Sequence, residues 1–241
     1  MKKIGIIGCG NLGLSLLKGI RKNDQDALIY GSKRNTSGLV HLNNEHTIIT
    51  SDNVELINNC EIIILALKPY TVIPFLTQNA ELFKSNQHTL VSVATGITID
   101  EMKACFSSDI DVFRAMPNTA SSVNESITAI SFGSDNLNRK ESVTEIFQTV
   151  GEAIIIDEAL MESATILGAC GIAYVLRFMR AMIQGGIEVG FDAVTASKIV
   201  SQTVKGAAEL IIRNGSHPEQ EIDKVTTPKG CTIVGLNEME H

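Results

Sequence analysis

The stretch Lys3-Ile-Gly-Ile-Ile-Gly-Cys-Gly-Asn-Leu-Gly13 decides the fold. An apolar run of β character leads straight into Gly8, Gly10 and Gly13, spaced as G-x-G-x-x-G, and then into an amphipathic segment carrying Leu12, Leu14, Leu16, Leu17 and Ile20. Strand, tight turn and helix opening follow in that order. In such a turn the first glycine permits the sharp bend, the second lets the backbone approach a pyrophosphate, and the third lets helix and strand pack closely. The helix N-terminus adds free N–H groups and the positive end of its dipole. Gly8, Cys9, Gly10, Asn11, Leu12 and Gly13 are therefore candidate cofactor contacts.

Composition bounds what else the chain can be. With 241 residues, 44% hydrophobic and 20% charged, it can bury one large core or two moderate ones. A formal net charge of −7 and the absence of any Lys/Arg-rich run argue against a nucleic-acid surface. A strand that begins near residue 4 leaves no room for a signal peptide, and no apolar run is expected to approach a membrane span. The expectation is a cytoplasmic protein with neither nucleic acid nor membrane as partner. Cys9, Cys60, Cys105, Cys170 and Cys231 are scattered, with no C-x-x-C pair, so neither a disulfide framework nor a metal site is indicated.

Further along, Ala27–Tyr30 reads as a second strand followed by Gly31-Ser-Lys-Arg34. NAD binders place a carboxylate near this point for the ribose 2′-OH. Here Ser32 and Arg34 stand in its place, which favours a 2′-phosphate and so NADPH, with NADH possible. Thr47–Thr50 reads as a strand, with a helix after it capped by Ser51 or Asp52. Glu61–Leu67 is an apolar strand ending in Lys68-Pro69, and Thr89–Ala94 is another ending in Thr95-Gly96. Open α/β sheets bind ligands at such carboxyl ends, so Lys68 and the Thr95-Gly96 backbone are site candidates. A short helix is expected over Ile99–Phe106, strands over Asp111–Met116, Ile127–Phe132 and Glu152–Ile156, and a helix over Asn138–Val150. From Glu158 to Arg213 the chain reads as almost wholly helical, with a break at Gly215-Ser-His-Pro218 before a final short helix. The expectation is an α/β Rossmann-like dinucleotide-binding domain over 1–157 and an all-α dimerisation and substrate domain over 158–241.

Five stretches together resemble the pyrroline-5-carboxylate reductase family. They are Ile4–Gly13, Ala66-Leu-Lys-Pro69, Val91-Ser-Val-Ala-Thr-Gly96, Arg114-Ala-Met-Pro-Asn-Thr119 and Thr227-Pro-Lys-Gly-Cys-Thr-Ile233, the last followed by Gly235-Leu236. The resemblance covers essentially the whole chain, and Arg114–Thr119 is its most specific piece. It implies cofactor contacts from Gly8 to Gly13 and from Ser32, Arg34, Asn53, Ala66, Lys68 and Pro69, with Ala94, Thr95 and Gly96 near the nicotinamide. Met116, Pro117 and Asn118 would lie near the reacting ring, and Thr227, Gly230, Cys231 and Thr232 would hold the substrate. Asn118 and Thr232 are the residues it places closest to catalysis.

The implied reaction is NADPH-dependent reduction of Δ1-pyrroline-5-carboxylate to L-proline, the last step of proline biosynthesis. An imine already protonated needs no strong side-chain acid, which agrees with the lack of a Ser-His-Asp or Cys-His set. His41, His46, His88, His217 and His241 lie outside the family motifs and are expected at the surface. Three departures fall on the substrate side. Lys229 stands for a family glycine, Gly168-Ala-Cys-Gly-Ile-Ala-Tyr174 replaces a run resembling S-G-S-G-P-A-Y, and family members carry another helix after the Gly-Leu pair. Two alternatives therefore stay open: a reductase of a different cyclic imine, and a non-catalytic dinucleotide-binding paralogue. Ile166, Leu167, Tyr174, Val175, Phe178, Met179, Met182 and Ile183 recur at spacings of three and four, and a second apolar face runs from Ile199 to Ile212. Two such faces predict a homodimer or larger homo-oligomer.

Overall fold

A computed structural model describes residues 2–240. By internal contact the chain divides into two units, Met1–Ile172 and Ala173–His241.

The first unit is built on one eight-stranded sheet in the order β3-β2-β1-β4-β5-β6-β7-β8. β1 (Lys3–Ile7) passes through the glycine turn into α1 (Asn11–Asn23), then β2 (Leu28–Ser32), β3 (Thr47–Thr50), α2 (Asn53–Asn59) and β4 (Ile62–Leu65). α3 (Pro69–Asn79), β5 (Thr89–Ser92), α4 (Ile99–Lys103) and β6 (Asp111–Met116) complete the parallel part. β7 (Ser126–Phe132) pairs antiparallel with β6, and after α5 (Leu137–Gln148) β8 (Gly151–Ile155) pairs parallel with β7.

Alternation along the strands sorts the core onto two faces. Ile62 and Ile64 join Ile4, Ile6, Leu16, Leu17 and Ile20 on one side, while Ile63 and Leu65 join Leu56, Ile57, Val72 and Leu76 on the other. Strands buried on both faces are what continuous apolar runs such as Ile62–Leu65 encode. The register then sets one level of the sheet: Ile7 pairs with Ser32 and Leu65, Leu65 with Ser92, and Ser92 with Arg114. The carboxyl ends of five parallel strands therefore finish together, with the glycine turn among them.

α3 lies outside the elements expected from the sequence. Pro69 sits in its first turn, where a proline fits, but Pro74 lies inside it. Burial of Val72 and Leu76 outweighs that interruption.

His88 corrects the expectation of a surface histidine. It is 1% exposed, its Nδ1 accepts from the Lys84 backbone N–H at 2.9 Å, and its Nε2 lies 3.1 Å from the Ile57 carbonyl. A neutral ring protonated on Nε2 satisfies both contacts. Burial pushes its pKa below the ordinary 6.5, so as pH falls the unfolded chain takes up the proton first. Stability should be full above about pH 6.5 and decline below it until the folded imidazole itself titrates. Melting curves between about pH 7.5 and 5.5 check this: His88→Gln should lose the acid-side decline that the parent shows. Parallel curves for the two proteins would remove His88 as its source.

After a short turn at Glu158–Leu160, the chain continues through α6 (Met161–Ala164), a π-helical segment (Thr165–Cys170) and α7 (Gly171–Glu188). Met161 is buried with Met116 and Ala129, which ties the start of this run to the sheet unit. The run Glu158–Glu188 spans 31 residues, and an 18-residue stretch within it has mean hydropathy 1.6, long and apolar enough by composition to cross a membrane, against the expectation that no segment would be. Its apolar character comes from the closely spaced Ile, Leu, Tyr, Val, Phe and Met side chains already identified as a stripe.

The second unit comprises the rest of α7 with α8 (Ala193–Asn214), α9 (Pro218–Val225) and α10 (Cys231–Met239). Two helices thus follow the break at Gly215, where one was expected, because Thr226–Gly230 forms a further turn. Asp192 caps α8 by accepting from the Val194 and Thr195 N–H groups, both at 3.0 Å. A Cβ on Gly186 would come 3.1 Å from the Ala196 Cβ, so small residues let α7 and α8 approach closely. Little else is buried in α8 beyond Ala196 and Val200, and Tyr174, Phe178 and Ile212 are 60%, 45% and 76% exposed.

Candidate dinucleotide site

The glycine turn is fixed from behind. Gly8 has φ +99°, and a Cβ there would lie 2.6 Å from the Ala66 carbonyl. The Gly8 and Cys9 N–H groups both donate to the Ser32 carbonyl, at 3.1 and 2.8 Å, which ties the turn to the end of β2. Gly13 packs its backbone on the turn, since a Cβ there would meet the Gly8 carbonyl at 2.4 Å. Gly10 is different: its chain neighbours aside, no atom of the described residues lies within 4 Å of where its Cβ would stand. It also caps α1 without a side chain, leaving the N–H groups of Asn11 and Leu12 without intrahelical partners. An open cradle at a helix N-terminus is what a pyrophosphate needs. Burial pushes the Cys9 thiol up to about 11, so it stays neutral and does not repel an anion.

At the other end of the cleft, β2 runs two residues past its expected end, so Ser32 closes the strand and is 2% exposed. Its hydroxyl donates to Asn53 Oδ1 at 2.6 Å, which orients the Asn53 amide at the start of α2. Asp52, not Ser51, is the α2 cap, its carboxylate accepting from the Val54 and Glu55 N–H groups. A cleft of about 460 Å³ joins these parts, lined by Gly8, Gly10, Ser32, Lys33, Arg34, Asn53, Ala66 and Lys68 among others. No Asp or Glu lines it, whereas Lys33, Arg34 and Lys68 do, and none of the three forms an ion pair among the described residues. Free cations and no carboxylate suit a 2′-phosphate, so the residues present fit NADPH.

Lys33, Ser51 and Leu67 also line this cleft, as do Asn35, Tyr70 and Thr71, which the sequence did not single out. Tyr70 follows Lys68-Pro69 directly and is 78% exposed, a position that could have been read once Pro69 was placed at a helix start.

The segments expected to flank the nicotinamide lie at the ends of β5 and β6 and not along the 460 Å³ cleft. Gly96 has φ +72° with open space around it, and Thr95 beside it is exposed. Met116 lines a separate apolar cavity of about 210 Å³ with Ala129, Ala164 and Gly168. Asn118 is 6% exposed and its amide is already engaged: Oδ1 accepts from the Ala120 N–H at 3.0 Å, and Nδ2 donates to the Gly168 carbonyl at 3.2 Å. Its backbone N–H donates to Ser126 Oγ at 3.0 Å. The side chain thus staples the π-helical segment to the sheet.

Thr227, Gly230, Cys231 and Thr232 lie in the second unit, around the turn that opens α10. The Gly230 N–H donates to the Thr227 carbonyl at 3.0 Å, and a Cβ on Gly230 would strike Thr227 Oγ1 at 2.6 Å. Lys229 has φ +62°, the left-handed conformation that a glycine adopts freely. Lys229→Gly should therefore raise stability by about 1 kcal/mol, read as a higher denaturant midpoint at unchanged slope. An equal or lower midpoint would show that the turn carries no strain.

Comparison with known proteins agrees with this geometry. Residues 158–241 match a family model described as pyrroline-5-carboxylate reductase dimerisation, and residues 3–96 match one described as NADP oxidoreductase, coenzyme F420-dependent. Over its whole length the chain is 40% identical to pyrroline-5-carboxylate reductase 2 of Dictyostelium discoideum, covering 86% of that protein. The chain belongs to the pyrroline-5-carboxylate reductase family. It is also 38% identical to pyrroline-5-carboxylate reductase 1 of the same organism, but spans only 46% of that protein's length. The crystal structure of Plasmodium falciparum pyrroline carboxylate reductase with NADP bound superposes with a TM-score of 0.89 at 27% identity, covering 99% of this chain and 89% of the other.

As in other members of the pyrroline-5-carboxylate reductase family, a Rossmann-like unit carries the dinucleotide cleft and a helical region matches the dimerisation model. The match begins at Glu158, whereas the first contact unit runs on to Ile172. The difference is the stretch from Glu158 to Ile172, which is anchored to β6 and β7 through Met161 and Asn118.

Proposed function

We propose that this chain reduces Δ1-pyrroline-5-carboxylate to L-proline with NADPH. The observation that carries this is the cleft at the carboxyl ends of the parallel strands, with the open Gly10 cradle at one end and unpaired Lys33 and Arg34 at the other, in a member of this family. NADPH supplies the hydride, from C4 of its nicotinamide, to the C=N carbon of the substrate. Nitrogen protonated beforehand keeps the proton, so the net change consumes one hydride and one proton and needs no side-chain acid of lowered pKa. The α1 N-terminus holds the pyrophosphate, Lys33, Arg34 and the Asn53 amide oriented by Ser32 hold the 2′-phosphate, and Gly96 leaves room for the ring to lie against backbone. Thr227, Gly230, Cys231 and Thr232 are the proposed substrate contacts, with the Thr232 hydroxyl as hydrogen-bond donor or acceptor to the substrate. Their contribution is binding and orientation.

NADPH oxidation measured with pyrroline-5-carboxylate beside a panel of other cyclic imines tests the reading. Preference for pyrroline-5-carboxylate supports it. Preference for another imine would reassign the substrate, and tight NADPH binding without turnover on any would make the chain a dinucleotide-binding paralogue.

The working form we propose is a homodimer joined through the helical region. The apolar surface left open on α7, α8 and α10, including Leu176, Phe178, Ile212 and Val234, is far more than a soluble monomer normally exposes, and an obligate interface of roughly 2,000 Å² or more would cover it. Sedimentation equilibrium at low micromolar concentration should return twice the 26.0 kDa chain mass. A monomer with full turnover would refute this.

A further inference from the structure

Arg114 opens the most specific stretch of the sequence, yet the reaction as written does not use its charge. Its side chain is 4% exposed within β6, between Ser92 and Ser131 of the neighbouring strands. Nη1 donates to Glu158 Oε1 at 3.0 Å and Nη2 to Glu162 Oε1 at 3.2 Å. Glu158 Oε1 also accepts the Ile99 backbone N–H at 2.8 Å, and Arg114 Nε has no partner among the described residues. Desolvating a guanidinium costs several kcal/mol, and an apolar side chain would fill such a sheet position more cheaply. Stability alone is a poor reason for an arginine here.

What the ion pairs join suggests the reason. Ile99 follows Thr95-Gly96 by three residues, and Arg114 precedes Met116 by two and Asn118 by four. Glu158 and Glu162 open the helical run that leads to Gly168, whose carbonyl receives the Asn118 amide. Both segments proposed to flank the nicotinamide thus emerge from points held by one buried cation. A planar, bidentate guanidinium can hold two carboxylates in fixed geometry, which a lysine cannot.

We propose that Arg114 is a positioning residue for the reduction, holding through Glu158 the Ala94–Gly96 and Met116–Asn118 segments at the reacting ring, with Glu162 as a weaker second anchor. This rests on the function proposed above. In the full-length protein, Arg114→Lys and Glu158→Gln should bind NADPH within about threefold of the parent by calorimetry while kcat falls roughly tenfold or more. With NADPH deuterated at C4, the isotope effect on kcat should rise, because misplacement slows the hydride step itself. Glu162→Gln, whose carboxylate side chain is 63% exposed, should cost no more than about threefold. The double variant Arg114→Lys/Glu158→Gln should be no worse than the worse single one.

Activity lost only in proportion to folded protein, with KM and isotope effect unchanged, would make Arg114 a stability residue and overturn the proposal. Should Arg114→Lys not fold, the near-isosteric Glu158→Gln decides by the same readouts. A parent protein that binds NADPH but reduces no pyrroline-5-carboxylate would sink the functional reading, whereas full kcat in the variants of an active parent would sink this proposal alone.

Discussion

Replacing Gly13 by alanine is expected to lower stability by roughly 2 kcal/mol and NADPH affinity by on the order of 100-fold. Helix propensity predicts the reverse, because alanine is the better helix former by about 1 kcal/mol. The new methyl, however, would stand 2.4 Å from the Gly8 carbonyl and 3.2 Å from the Ala66 Cβ. Backbone cannot swing aside as a flexible side chain can, so α1 must move away from β1 and carry its N-terminus off the phosphate position. Gly10→Ala makes the contrast. Its methyl, chain neighbours aside, meets no atom of the described residues within 4 Å, so stability should change by less than about 1 kcal/mol, the scale of an N-cap substitution. Affinity should still fall roughly tenfold or more, because the space it fills is the one a pyrophosphate would take. Thermal melts and calorimetric titration of both variants separate the two effects. NADPH bound normally by Gly10→Ala would mean that the phosphates lie elsewhere.

Arg34→Ala should weaken NADPH by roughly tenfold and NADH by less than about twofold. Arg34 is exposed and forms no ion pair among the described residues, so its removal breaks no folded ion pair. What it loses is a charge-assisted bond to a phosphate that only NADPH carries. Ser32 behaves differently, being buried and committed to Asn53 through its hydroxyl. Equal losses for both cofactors on Arg34→Ala would show that this end of the cleft does not read the 2′-phosphate.

The parallel sheet was legible because local signals there agree with long-range packing. Thr47–Thr50 and Asp111–Met116 form strands over the residues expected, and the glycine turn connects β1 to α1 as its spacing predicts. What escaped depends on contacts made across the chain. α3 was hidden by Pro69 and Pro74, whose local penalty is overcome by burying Val72 and Leu76. The antiparallel turn between β6 and β7 has no spacing signature, and nothing near His88 in the sequence announces that Ile57 will accept from its ring. Asn118 shows the same limit at the site. Its motif marks it as important, but only the fold reveals that Gly168, fifty residues on, takes its amide. Conversely, Lys229 was legible from one substitution against the family pattern, and its backbone does adopt the positive φ a glycine would take.

Whether hydride passes from NADPH to the C=N carbon of pyrroline-5-carboxylate is measured most directly by isotope transfer. The full-length protein is supplied with pyrroline-5-carboxylate and NADPH deuterated at the transferred C4 position, and the product is analysed by mass and NMR. The account predicts L-proline carrying one deuterium at C5, with one NADPH consumed per proline. Proline without deuterium at C5, or no proline from protein shown to bind NADPH, would contradict it.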